Sequence, residues 1–425
     1  MGAFKVLILV LAIVVFAQIN AWPYLDQTLG AVVALLVVAW IWSRLSLSGV
    51  GLVRETATDR AQVGQPLRER IRVRNGGRLA KLWLEVRDYS TLPGHRASRV
   101  LHVSGRSSAA WDVETECARR GRFRIGPLAI RSGDPFGLFP TRLTVPESHE
   151  LIVYPATVDV SGFAFPPGTL AGGSATERRN PFVTQSVAGI REYVTGDAYN
   201  RISWPATARA GRLMIKEFDL DPTADVWLVL DLERQAHRAA VRRREGDDNG
   251  AGARPAPVPW LDSTEEYAVT IVASLARRCL ETGRKVGVIA TGAHHEVIVA
   301  DRSDRQGIKI LETLAVVRSD GDRPLAETLL AEARRFNRQS TVIVVTPSVD
   351  EAWVSALVAL TGRRVRASVI LVEPESFAPA PSALMVVGRL IASGIATTLV
   401  KHGDEIGAAL TATPGSAAAG RARYA

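Results

Sequence analysis

The stretch from Gly189 to Asp219, GIREYVTGDAYNRISWPATARAGRLMIKEFD, gathers residue types that could recognise a ligand. Arg191, Arg201, Arg209, Arg212 and Lys216 are interleaved with Glu192, Asp197, Glu217 and Asp219 around Trp204. A guanidinium presents a planar fork of donors that meets a carboxylate or phosphate in two parallel hydrogen bonds. Arg191, Arg201 and Arg209, with Lys216 as a point charge, are therefore candidates for holding an acidic peptide or an anion. The same mixture of signs can also saturate itself, as a salt-bridge network around a buried Trp204 that cements the segment to its neighbours. Gly196-Asp197 reads as a turn, and Asp197 and Trp204 as structural. Nucleophilic catalysis is poorly supported, because the stretch has no His or Cys and Ser203 has no neighbouring base.

Other chemistry is sparse. Cys117 and Cys279 are the only cysteines, without a CxxC neighbour or a His at metal spacing. A disulfide framework and a structural zinc site are disfavoured, which fits a reducing compartment. His294 and His295 are adjacent, and neighbours on a strand face opposite sides, so they make a poor chelate and suit a loop or strand edge. GTLAGGS (168–174) lacks the terminal Gly-Lys-Ser/Thr and a following helix, which argues against a phosphate loop.

The elements that must position these residues follow from periodicity. In 52–155, RERIRVRN, LWLEVRDY, RVLHVSG and RFRIGPLAIR alternate apolar with polar, the pattern of half-buried strands, with Gly and Pro turns between them. An immunoglobulin-like β-sandwich is expected, its arginines forming a solvated face. Residues 156–224 hold a Gly- and Pro-rich loop and then the charged segment. Ser203 is placed to cap a short helix, Pro205 fits its first turn, and Gly211 ends it. LMIKEFD (213–219) then reads as a strand. From 225 to 402 apolar strands alternate with helices, beginning with DVWLVLDL and a capped helix that starts after Ser263 and stops at Gly283. This order implies a largely parallel, Rossmann-like sheet covered by helices on both faces. The stretch 237–259 is charged and Gly/Pro-rich and reads as flexible, and 403–425 as a disordered tail.

The first 45 residues are different. VLILVLAIVVFAQINAW (6–22) and LGAVVALLVVAWIW (29–42) each approach the roughly 20 residues of a spanning helix, with Trp22, Tyr24, Trp40 and Trp42 where interfacial aromatics belong. A cleaved signal peptide is the competing reading of the first run, but a second run follows at once and no clear cleavage site separates them. A transmembrane helical hairpin (1–45) is favoured. Lys5 and Arg44 flank it and its connector has no Lys or Arg, so both ends and the bulk of the chain are expected in the cytoplasm. The net charge of +9 suits an acidic partner or an anionic membrane, and equally an arginine-rich codon usage. Basic residues are dispersed rather than interleaved with aromatics on one face, which makes nucleic-acid binding unlikely.

The run REYVTGDAYNRISWPATARAGRLMIKEF, followed by a strand ending VLDL, resembles the signature of the bacterial domain of unknown function 58 family. RRGRFRIGPLAIRSGDPFGLF (119–139) and the leading apolar hairpin are similar to that family as well. The resemblance implies a von Willebrand factor A-like α/β domain, a location in the bacterial plasma membrane, MoxR-type AAA+ ATPases as partners and transglutaminase-like membrane proteins as neighbours. It implies no established activity and no cofactor. Such α/β domains hold Mg²⁺ with D-x-S-x-S at the end of the first strand. Here the run is Asp231-Leu232-Glu233-Arg234-Gln235, in which Glu233 and Gln235 replace both serines and Arg234 adds a positive charge. Asp231, Glu233 and Gln235 therefore read as a degenerate site without metal. The function expected is that of a membrane-anchored, non-enzymatic scaffold. An uncharacterised enzyme and a binder of anionic ligands are the alternatives. Trp204 is expected to be buried, with Arg191, Arg201 and Arg209 beside the carboxyl edge of the parallel sheet, where ligands of open α/β sheets gather.

Overall fold

The computed structural model describes residues 25–56, 58–165, 187–193, 202–218, 225–240, 261–338 and 340–411, together with positions 8, 11, 12 and 14–16. The chain divides into two compact units, Met1–Ala156 with Leu311–Val316, and Thr157–Ile310 with Val317–Ala425.

The first unit opens with helix α1 (Leu25–Ser46). Its apolar portion, Gln27–Ser46, is 20 residues long and mostly exposed. At 1.5 Å per residue that is about 30 Å, the thickness of a bilayer's hydrocarbon. In the first apolar run, positions 8, 11, 12 and 14–16 are helical; the rest of the expected hairpin partner lies outside the described residues. Ten strands follow: β1 (Val50–Thr56), β2 (Arg60–Gln62), β3 (Pro66–Asn75), β4 (Lys81–Asp88), β5 (Arg99–Val103), β6 (Ser108–Glu116), β7 (Gly121–Ile125), β8 (Leu128–Ser132), β9 (Thr141–Val145) and β10 (His149–Tyr154). They form sheets ordered β1-β3-β6, β5-β4-β8-β9 and β2-β10-β7. The first two sheets bury their inner faces against one core that includes Leu52, Ile71, Val73, Leu84, Val86, Val113 and Ile130, which makes a β-sandwich.

Strand β3 shows why the alternation is informative. Leu67, Glu69, Ile71, Val73 and Asn75 are buried while Arg68, Arg70, Arg72 and Arg74 are exposed. Arg68 and Arg70 meet Glu114 and Asp112 across the strand pair, so these arginines are a solvated, charge-balanced face. RFRIGPLAIR is not one strand. The chain bends at Gly126-Pro127, and β7 pairs with β10 while β8 pairs with β4 and β9. Gly126 has φ +88°, and a Cβ there would lie 2.8 Å from the carbonyl oxygen of Glu147, so the corner between sheets requires glycine.

The second unit contains β11 (Val187–Glu192), α2 (Trp204–Ala210), β12 (Met214–Phe218), β13 (Val226–Asp231), α3 (Thr264–Glu281), β14 (Val286–Thr291), β15 (His295–Asp301), α4 (Asp304–Val316, its last six residues counted with the first unit), α5 (Leu325–Ala331), β16 (Thr341–Thr346), α6 (Ala352–Gly362), β17 (Arg366–Val372), α7 (Leu384–Ala392), β18 (Ala396–Val400) and α8 (Ile406–Thr411). Six of its strands form a sheet ordered β15-β14-β13-β16-β17-β18. All pairs are parallel except β14 with the edge strand β15. Every residue of β13, β14 and β16 is buried, as continuous apolar strands must be when both faces are covered. Ser263 caps α3 by accepting from Glu266 N, and Gly283 follows its end at φ +71°. Residues 237–240 are not free linker: Ala239 bridges to Ser263 and Ala240 N donates to Asp262 O at 2.6 Å.

Candidate functional site

Strands β11 and β12 pair antiparallel and place Arg191 opposite Ile215 and Ile190 opposite Lys216. Helix α2 lies between them in sequence and is tied to the hairpin through its backbone. Ser203 N donates to Met214 O (2.8 Å), Tyr193 N to Leu213 O (2.9 Å), and Met214 N to the Thr207 hydroxyl (3.0 Å). Gly211 closes the helix in the left-handed region at φ 66°, its N–H reaching Thr207 O. The apolar anchors of this fold are Ile202 and Ile215, both buried.

Trp204 departs from the expectation of burial: it is 67% exposed. It is the first residue of a seven-residue helix with no buried position. Arg209 is exposed in the last turn, and Arg212 pairs with Glu192 at 3.2 Å on the surface. Gly196, Asp197 and Arg201 lie outside the described residues, as do the side chains of Arg191 and Lys216. The hydrogen bonds that join β11, α2 and β12 run within the segment and do not test its expected place beside the sheet's carboxyl edge.

At that edge the end of β13 is closely tied. Asp231 is 3% exposed. Its Oδ2 accepts the Thr346 hydroxyl at 2.6 Å and its Oδ1 accepts Glu233 N at 3.0 Å. Thr346 Oγ1 in turn accepts Ser348 N at 2.8 Å. His237 lies with Nε2 2.9 Å from Asp231 O and Nδ1 3.1 Å from the Thr264 hydroxyl. Burial raises the Asp231 carboxyl above the ordinary carboxylate range, against the pull of His237 and the Thr346 hydroxyl. Glu233 is raised by burial and by the charges of Asp231 and Asp350. Arg234 donates to Asp320 O at 2.8 Å and pairs with Asp322, while the Gln235 carbonyl accepts Arg238 Nη1. Gly321 presses against Gly292: a Cβ on it would lie 2.8 Å from Gly292 backbone.

This arrangement is a poor match to a Mg²⁺ site. Both oxygens of Asp231 already accept protein donors, and Arg234 stands between Glu233 and Gln235 in the sequence. Among the described residues no group of three or more His, Cys, Asp or Glu side chains is disposed to hold a metal ion. His295, at the start of edge strand β15, has Nδ1 3.0 Å from the Thr291 hydroxyl and Nε2 3.1 Å from Glu332, and His294 lies in the preceding loop.

Sequence reasoning missed a second polar cluster, inside the sandwich. Arg54 donates to Asp88 at 2.7 Å, and His95 Nε2 lies 2.7 Å from Asp88 and 3.2 Å from Glu69. Thr56 donates to Glu69, and Thr115 meets His95 Nδ1 at 2.8 Å. These residues come from separate strands and loops, with no shared spacing to mark them. The one available signal is Glu69 on the apolar phase of β3. Both cysteines are buried, and burial pushes the Cys279 thiol up to about 12, so it is unreactive packing.

Residues 189–247 match the family described as "Protein of unknown function DUF58". Over that stretch the chain resembles this family. It is 22% identical over 311 residues to the uncharacterized protein YeaD of Bacillus subtilis (strain 168), covering 73% of this chain and 71% of that one. Among solved structures it is similar to the CARDB domain of PF1109 from Pyrococcus furiosus, at 14% identity over 25% of this chain and 94% of that one, with a TM-score of 0.20. It is similar also to the pilus adhesin SpaC from Lactobacillus rhamnosus GG, at 9% identity over 44% of this chain and 30% of that one, with a TM-score of 0.31. At these scores neither neighbour bears on the fold.

Proposed function

We propose that this protein is a membrane-anchored, non-enzymatic adaptor that docks a protein partner through its signature segment. Two apolar helices would hold it in the plasma membrane with both ends cytoplasmic. The sheet order, with its antiparallel edge strand β15, supports reading the second unit as a von Willebrand factor A-like domain. The internal hydrogen bonds of Asp231 support a degenerate edge that works without Mg²⁺. The observation that carries the docking reading is the exposure of Trp204, with Arg209 exposed on the same short helix. Trp and Arg are the residue types that most often dominate binding energy at protein interfaces. On family resemblance the partner is a MoxR-type AAA+ ATPase, with a transglutaminase-like membrane protein as a further neighbour. The test is co-purification. Full-length chain in detergent should retain the purified ATPase, and an ATPase that passes through unretained removes this reading.

A further inference from the structure

The foot of α1 opens onto a groove of about 740 Å³ in the sandwich unit. Trp42, Leu45 and Ser46 of the last helical turn line one side, and Leu79, Leu82, Trp83 and Pro135 are among the residues lining the rest. The helix is fixed here. The Ser43 hydroxyl donates to Phe139 O at 2.5 Å, the Ser46 hydroxyl meets that of Thr141 at 3.2 Å, and the Lys81 ammonium donates to Leu45 O at 2.5 Å. A cation at the last carbonyls also complements the helix dipole.

The strand beside the groove is shaped for the apolar surroundings it would meet. A bulge in β4 between Lys81 and Leu84 breaks the alternation, so the consecutive residues Leu82 and Trp83 both point outward. Trp83 is 68% exposed, and Leu79, Leu82 and Phe136 are exposed with it. The loop carrying Phe136 is held by Asp134, which accepts Phe136 N at 2.9 Å and Phe139 N at 2.6 Å. Arg44, Arg78 and Arg106 are exposed on the elements that meet at this end, where Arg106 N donates to Gly77 O.

We infer that this groove is a phospholipid site of the bilayer that α1 crosses, with an acyl chain against Leu79, Leu82 and Trp83 and the phosphate near the exposed arginines. The inference rests on the membrane-anchored reading. If α1 spans, its last turn lies at the interface, and the groove that shares that turn lies at headgroup depth. Exposed Trp beside Arg is the composition expected at that depth. An open, mainly apolar concavity with a few polar groups is what lipid-like ligands occupy.

The test uses the full chain in phosphatidylglycerol-containing vesicles, with nitroxides on single introduced cysteines; the native cysteines are buried. Val37→Cys reports on the span, Leu82→Cys and Trp83→Cys on the groove, and Arg96→Cys on the far end of the sandwich. Asp88, which touches His95, lies seven residues along β4 from Lys81, roughly 23 Å at strand spacing. Labels at 37, 82 and 83 should collide preferentially with dissolved oxygen, several-fold more than the label at 96, which should collide with a water-soluble nickel chelate. A membrane signal at 37 with water-like signals at 82 and 83 overturns the lipid site and leaves the anchor intact. Shielding from both reagents at 82 and 83 shows a protein covering and overturns it equally. A water-like signal at 37 defeats the anchoring reading and the lipid site together.

Discussion

Thr346→Val probes the sealed carboxyl edge most sharply. Valine matches threonine in shape but has no hydroxyl. The buried Asp231 carboxylate then loses its 2.6 Å donor, and Ser348 N loses its 2.8 Å acceptor. An ordinary hydrogen bond contributes about 0.5–1.5 kcal/mol net, and an orphaned buried N–H costs about 1–3 kcal/mol. The sum, roughly 1.5–4.5 kcal/mol, corresponds to a fall of about 5–15 °C in the melting temperature of a unit this size. Asp231→Asn should cost less, because burial already disfavours the charged form and an amide oxygen still accepts Glu233 N. Thermal unfolding of the full chain in detergent reads both. The same assay with millimolar Mg²⁺ should leave the wild-type midpoint unmoved. A specific ligand at a hundredfold excess over its Kd stabilises by about 2.7 kcal/mol. A saturable Mg²⁺-dependent rise that disappears in Asp231→Asn would refute the reasoning, as would a Thr346→Val midpoint equal to wild type.

Three further outcomes are expected. Burial raises the Asp88 carboxyl, but hydrogen bonds from His95 and Ser90 and the charge of Arg54 outweigh it and hold the group at about 2. Its stabilisation, roughly 2 kcal/mol, is complete above the ordinary carboxylate value near 4 and is lost as pH falls toward 2, so Asp88→Asn should flatten that acid limb in a pH series of denaturant midpoints. Gly321→Ala should lower the melting temperature and reduce soluble yield, since its Cβ meets Gly292 backbone at 2.8 Å, where neither chain can yield cheaply. Reporter fusions after residue 60 and at the C-terminus should both report cytoplasm, and periplasmic activity from either removes the hairpin topology.

The parallel sheet was legible because a strand covered on both faces must be apolar throughout, which marks β13, β14 and β16 in the sequence. The ends of α2 and α3 were legible because capping is local: Ser263 and Gly211 act within a few residues of themselves. Sheet membership was not local. Whether 122–131 is one strand or two depends on which partners flank Gly126, and those lie at β4 and β10. Trp204 failed for a related reason, since a helix of seven residues with no buried position leaves its first residue to solvent. That His237 would close around Asp231 was not legible, because it arrives from a turn six residues on, whereas Thr346 stood out as the hydroxyl at the end of a later strand. Exposed apolar pairs such as Leu82-Trp83 were likewise hidden, because a bulge inverts the phase that the alternation would give.

The role proposed is docking of a partner on the exposed aromatic of the signature segment, without metal at the sheet edge. Its most direct test is a binding titration of purified MoxR-type AAA+ ATPase onto the full chain held in nanodiscs, repeated with Trp204→Ala, Arg209→Glu and Asp231→Asn. Binding should be saturable and weaken at least about tenfold, or 1.4 kcal/mol, in each of the first two variants with their melting temperatures unchanged. Asp231→Asn should bind as wild type does. Saturable binding that is indifferent to Trp204 and Arg209, or that is lost in Asp231→Asn while the fold persists, would contradict it.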